Sequence, residues 1–95
     1  MITTADLTLI QQCVRKGQLW FTNHAVKRML ERAISDDEVR EVILNGEIIE
    51  DYPQDKYGPS CLIYGKTRAM RPLHVQCSAP PRVRVITVYP PNPVE

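Results

Sequence analysis

A chain of 95 residues with 12 Lys and Arg, 11 Asp and Glu and a net charge of +1 has room for one small domain and not two. Near-neutral charge gives no sign of the markedly basic domain typical of nucleic-acid binders, and no apolar run approaches the roughly 20 residues that span a bilayer. Three cysteines without CxxC spacing argue against a zinc site or a disulfide framework, and reduced buried thiols are expected.

Thr4 to Lys16 read as a first helix. Leu7, Ile10 and Val14 recur at helical spacing, Thr3 or Thr4 is the expected cap, and Gly17 sits past the end. Gln18 to Phe21 reads as a connector whose two aromatics anchor the helices on the core. A second helix starts at Thr22 or Asn23, both good N-caps. Its expected apolar stripe is Val26, Met29, Leu30 and Ala33, with His24, Lys27, Arg28 and Glu31 opposite and Arg32 on the flank. Ser35 to Glu38 form a capping box that opens a third helix. It carries Val39, Val42 and Ile43 inward and is expected to stop at a left-handed Gly46.

After Gly46 the period changes from 3.6 to 2. Strands are expected from Glu47 to Tyr52, Ser60 to Lys66, Pro72 to Ser78 and Arg82 to Tyr89. Helices followed by strands joined by short connections give an α+β fold. About three N-terminal helices pack on one face of a four-stranded, mainly antiparallel sheet. Hairpin symmetry sets Cys61 against Cys77, Ile63 against Val75 and Tyr64 against His74. In the last hairpin it sets Cys77 against Val83, Val75 against Val85 and Gln76 against Arg84. The expected core face is Cys61, Ile63, Leu73, Val75, Cys77, Val83, Val85 and Thr87. The other face mixes Leu62, Ile86 and Val88 with Tyr64, His74, Gln76, Arg82 and Arg84.

Basic side chains concentrate after Gly65 (Lys66, Arg68, Arg71, His74, Arg82, Arg84) against one acid, Glu95, so a neutral chain can still carry a basic patch. Two groupings carry chemistry. On the sheet, His74 with Tyr64, Gln76 and Arg84 offers a proton-transfer group, a phenol and a phosphate clamp, the set that metal-independent RNA cleavage needs. The same residues also suit the solvated outer face of an antiparallel sheet. On the second helix, His24 and Arg28 stand one turn apart and form a second such pair, or a polar face with Lys27 and Glu31 paired. Arg71, Arg68 and Lys66 make a basic hairpin tip able to grip phosphate or simply to keep a loop solvated. Glu50, Asp51 and Asp55 lack metal-ligand spacing, so no metal is expected.

The run Phe21-Thr22-x-His24-Ala25-x-x-Arg28-Met29-x-x-Arg32 has companions downstream. They are Asn45-Gly46, Glu50-Asp51-Tyr52, Arg71-Pro72-Leu73-His74-Val75 and Val85 to Tyr89. Together they resemble a family of small prokaryotic domains of unknown function with an FTxHAxxRMxxR signature. These are similar to the BrnT and RelE toxins, ribonucleases neutralised by partner antitoxins. The resemblance covers about residues 20–89, with helix and connector over 1–19 and a proline-rich tail over 90–95 of a single domain. It implies a RelE/BrnT-like fold and a cytoplasmic endoribonuclease working without metal or cofactor. The implied partners are RNA or the ribosome and a cognate antitoxin. The alternative is a non-catalytic protein-interaction module. On the ribonuclease reading the catalytic candidates are His74, His24, Tyr64 and Tyr89, and the substrate-binding candidates are Arg28, Arg32, Arg84, Arg71 and Gln76.

Overall fold

The computed structural model describes residues 6–56 and 58–91. Three helices, α1 (Leu7–Arg15), α2 (Asn23–Arg32) and α3 (Asp36–Asn45), accompany five strands. The strands are β1 (Leu19–Phe21), β2 (Glu47–Tyr52), β3 (Ser60–Lys66), β4 (Pro72–Ser78) and β5 (Val83–Tyr89). The sheet order is β1-β5-β4-β3-β2. The architecture is α+β as expected, but the sheet is mixed and has five strands. The expected connector supplies the fifth: Leu19, Trp20 and Phe21 run parallel to Val83, Arg84 and Val85. Three residues are too few to show a period, so only pairing with β5 reveals this strand.

Each helix start follows from local chemistry. The Asp6 carboxylate accepts from the Thr8 and Leu9 amides and caps α1. The expected caps Thr3 and Thr4 lie outside the described residues. The capping box of α3 forms as expected, with Ser35 and Glu38 each accepting from the other's amide. Thr22 caps α2, accepting from the Ala25 amide at 3.0 Å, and its hydroxyl donates to the Ile86 carbonyl at 3.2 Å. At the far end of α2, Arg32 donates to the Val88 carbonyl at 2.8 Å. These two bonds pin α2 along the free edge of β5.

That pinning corrects the expected stripe of α2. Ala25 and Met29 are buried, while Val26 is 43% and Leu30 79% exposed, and Ala33 is exposed too. Thr22, Ala25, Met29 and Arg32 recur at spacings of three and four and share one side of the helix. The side presented to the sheet is therefore small and polar-ended rather than the most apolar one.

The β3–β4 register is as expected, with Cys61 opposite Cys77, Ile63 opposite Val75 and Tyr64 opposite His74. The β4–β5 register is not. Cys77 pairs with Val85, Gln76 with Thr87, Val75 with Val88 and His74 with Tyr89, and Ile86 is the extra residue of a bulge. Ser78 accounts for part of the offset. Its hydroxyl donates to the Arg82 carbonyl and accepts from the Arg84 amide, closing the loop where hairpin symmetry places a ladder pair. The bulge inverts the alternation beyond it. Val88 becomes core, Thr87 turns to the outer face, and Ile86 is buried rather than part of a mixed surface.

The core joins Ile10, Val14, Leu19, Ala25, Met29, Val39, Val42 and Ile43 to Cys61, Ile63, Leu73, Val75, Cys77, Val83, Val85 and Val88. The cysteines are free, with Cys61 and Cys77 buried and Cys13 half-buried. Gly46 is extended (φ −94°) rather than left-handed, and its need is for space. A Cβ there would lie 2.5 Å from the carbonyl oxygens of Val42 and Tyr64, so glycine lets the end of α3 meet β3.

Two outcomes test this account by chemical denaturation. Thr22→Val keeps the shape but removes cap and edge tether, and should cost about 1–2 kcal/mol. Gly46→Ala forces backbone apart and should cost about 1–3 kcal/mol.

Candidate functional site

The helical layer covers one face of the sheet. On the other face, the pairings place Glu47, Glu50 and Tyr52 of β2, Ser60, Leu62, Tyr64 and Lys66 of β3, His74 and Gln76 of β4, and Thr87 and Tyr89 of β5. None of these joins the core cluster. His74 sits on the central strand with an aromatic ring on either side. Its imidazole meets Tyr64 edge-on at 5.6 Å between centroids and Tyr89 edge-on at 5.0 Å, with the rings at 71° and 90°. Edge-to-face contact of this kind favours one ring orientation over others. His74 Nδ1 is buried and finds no hydrogen-bond partner among the described residues. That leaves Nε2 as the nitrogen able to exchange a proton with a bound molecule.

Two phenols of this face, those of Tyr89 and Tyr52, hold their protons to higher pH than usual. Burial pushes the Tyr89 hydroxyl up, and the negative charge of Glu50 adds to it. Tyr52 donates a hydrogen bond to the Glu50 carboxylate. Burial, that bond and the charge of Glu50 push its hydroxyl up to about 12. Gln76 donates to the Ser60 hydroxyl at 3.2 Å, which orients its amide along β3. Lys66, two residues from Tyr64 on the same face, is exposed and makes no ion pair among the described residues.

Only part of the expected set is brought together. Tyr64, His74, Gln76 and Tyr89 lie on one face of adjacent strands, and Tyr89 is directly opposite His74. Arg84 is not there. It pairs with Trp20 of β1, five residues from Tyr89, a separation of about 17 Å along a strand. The bulge and the shifted register removed it from the position opposite Gln76. Arg71 is committed to the fold: its guanidinium donates to the Arg32 and Ala33 carbonyls at 2.9 and 3.0 Å and lies 3.6 Å from Glu38. It therefore satisfies the open C-terminal carbonyls of α2 where Ala33 turns left-handed. Arg32 is spent on Val88. Arg28 pairs with Glu31 at 2.8 Å, so Glu31 is not the partner of Lys27. That hydrogen bond from Arg28 also holds the Glu31 carboxyl below its ordinary range. His24 is exposed in the first turn of α2 and makes no hydrogen bond or ion pair to the sheet cluster among the described residues.

Glu47 is a functional candidate that the sequence pattern does not single out, and Lys66, expected on a basic hairpin tip able to grip phosphate, stands on the face of the aromatic row. Lys66 was grouped with the hairpin tip, although its two-residue spacing from Tyr64 already placed it on the phenol's face. Glu47 pairs directly with Tyr64. Both line a depression of about 430 Å³, together with Asn45, Gly46, Tyr64 and Gly65. No group of three or more His, Cys, Asp or Glu among the described residues is placed to hold a metal ion. No helix among them is long and apolar enough to cross a membrane.

Fold and site define a small α+β domain with three helices on one side of a five-stranded mixed sheet and an aromatic–imidazole row on the other. The family model of the DUF4258 domain, a domain of unknown function, matches residues 21–90, and the chain belongs to that family. No curated protein and no solved structure matches the chain.

The raised tyrosine has a consequence for stability. The folded state keeps the Tyr52 proton where the unfolded chain loses it, so stability is full below about pH 10 and falls as pH rises towards 12. Denaturant midpoints measured across that window should fall less steeply for Tyr52→Phe.

Proposed function

We propose that the protein is a metal-independent, toxin-like ribonuclease whose proton-transfer group is His74. The observation that carries this reading is the imidazole set between two phenol rings on the sheet face that the helices leave uncovered. RNA cleavage by its own 2′-hydroxyl needs three things from a protein: a proton carrier, charge stabilisation at the phosphate and a surface that orients the strand. His74 serves as the carrier through Nε2. Lys66 supplies the positive charge that Arg84 was expected to supply. Tyr64 and Tyr89 offer edges and faces to bases, and stacking of this kind holds single strands with little regard to sequence. Tyr89, kept protonated by burial and by Glu50, donates to a phosphate oxygen.

The resemblance to BrnT and RelE toxins supports the same reading and extends it to a RelE-like fold, a ribosomal or free RNA target, a cytoplasmic setting and a neutralising antitoxin. A net charge of +1 gives weak attraction to RNA at large, which suits cleavage assisted by a ribosome that holds the message.

Cleavage of labelled RNA, with and without ribosomes and with chelator present, tests the reading. His74→Ala should lower the rate by about 10²–10⁴-fold in protein that remains folded by circular dichroism. His24→Ala should leave the rate within twofold. A wild-type protein that cleaves in neither setting rules the ribonuclease reading out in favour of an interaction module, and a His74→Ala protein that cleaves normally rules out His74 as the proton carrier.

A further inference from the structure

The depression beside the aromatic row has a chemical bias. Its lining includes Glu47, Asn45 and Tyr64. It opens at the C-terminal end of α3, the negative end of the helix dipole. The last helical carbonyls there are partly used: the Gln11 amide donates to those of Ile43 and Leu44. The Val42 carbonyl oxygen lies close against both Gly46 and Gly65, 2.5 and 2.9 Å from where a Cβ would stand. The two glycines thus add only backbone to the lining, and Glu47 adds a carboxylate, which accepts hydrogen bonds and does not donate them. Lys66 at the rim is the one cation in the lining. A volume of about 430 Å³ falls within the range of small-molecule sites, roughly 300–1,000 Å³.

An acceptor-rich pocket with a cationic rim selects among nucleotides. Guanine alone presents two adjacent donors on its pairing edge, the ring N–H and the exocyclic amino group, and a carboxylate accepts both at once. Adenine and cytosine set a bare acceptor nitrogen beside their amino group, and uracil flanks its single N–H with two carbonyls. We propose that this depression is a guanine-nucleotide subsite. Glu47 accepts from the two donors of the base, Tyr64 stacks against its ring, and Lys66 pairs with the attached phosphate. Tyr64 lines this pocket and meets His74 edge-on, so the subsite and the imidazole share a neighbour. The choice of a nucleotide as ligand rests on the ribonuclease reading, while the preference for guanine rests on the lining itself.

Titration of the 95-residue chain with GMP, AMP, CMP, UMP and IMP, followed by calorimetry and by the backbone amide signals of Gly46 and Gly65, tests the subsite without any cleavage. GMP should bind at least tenfold more tightly than the other three common nucleotides and perturb both glycine signals. IMP, which lacks the exocyclic amino group, should lose about tenfold on the unaltered protein. Glu47→Gln should remove the preference for GMP, and Lys66→Ala should weaken GMP but not neutral guanosine. Equal binding of all nucleotides, a preference for AMP, no nucleotide binding, or full GMP affinity in Glu47→Gln overturns the subsite. RNA cleavage without GMP binding rejects the subsite and leaves the ribonuclease standing. GMP binding without cleavage rejects the ribonuclease and leaves the subsite.

Discussion

Thr22 stands where the chain leaves β1 and enters α2, and one hydroxyl serves both sides of that junction. It accepts from Ala25 to start the helix and donates to Ile86, the bulged residue of β5. The Thr22 amide itself donates to the Val85 carbonyl, extending the edge pairing by one residue. A short parallel strand, a helix start and a β-bulge thus meet at one point. Because the bulge inverts alternation, this meeting point decides which side of the sheet each later residue of β5 occupies. Tyr89 reaches His74, and Val88 reaches the core, on its account.

The consequence for chemistry is a site built from strands rather than from helices. A side chain on a central strand is held by ladders on both sides, so the position of His74 is set by β3 and β5 together. The rings of Tyr64 and Tyr89 then restrict its rotation. Preorganisation of that sort is what proton transfer asks of a catalytic group. The arginines that look most like phosphate clamps in the sequence mostly hold the scaffold. Arg32 and Arg71 lock the last turn of α2 to β5 and α3, while Lys66 stands two residues from Tyr64 on its face of β3.

The run from Phe21 to Arg32 illustrates how a motif divides under load. Thr22 caps and tethers, Ala25 and Met29 bury, and Arg32 tethers again. Among the described residues His24 has no such duty, and Arg28 pairs with Glu31 on the same exposed side. A helix that fastens to a strand edge by its polar residues turns its apolar Val26 and Leu30 outwards. Periodicity alone reads the most hydrophobic side as the buried one, and here polar bonding to the β5 edge outweighs it.

Capping chemistry, hairpin signals and alternation are local, and so the sequence by itself determined the third helix with its capping box, the strands β2 to β5, the β3–β4 register and the meeting of Tyr64 with His74. The α+β class follows from the order of those elements. What only the tertiary structure decided is non-local: the three-residue strand β1, the orientation of α2, and the shifted, bulged β4–β5 register that puts Thr87 rather than Arg84 opposite Gln76 and Tyr89 opposite His74. Each depends on backbone groups from distant segments finding partners, such as Val85, Ile86 and Val88 accepting from Thr22 and Arg32. A carbonyl on a sheet edge leaves no mark in composition or period, and it is those carbonyls that place the side chains of the candidate site.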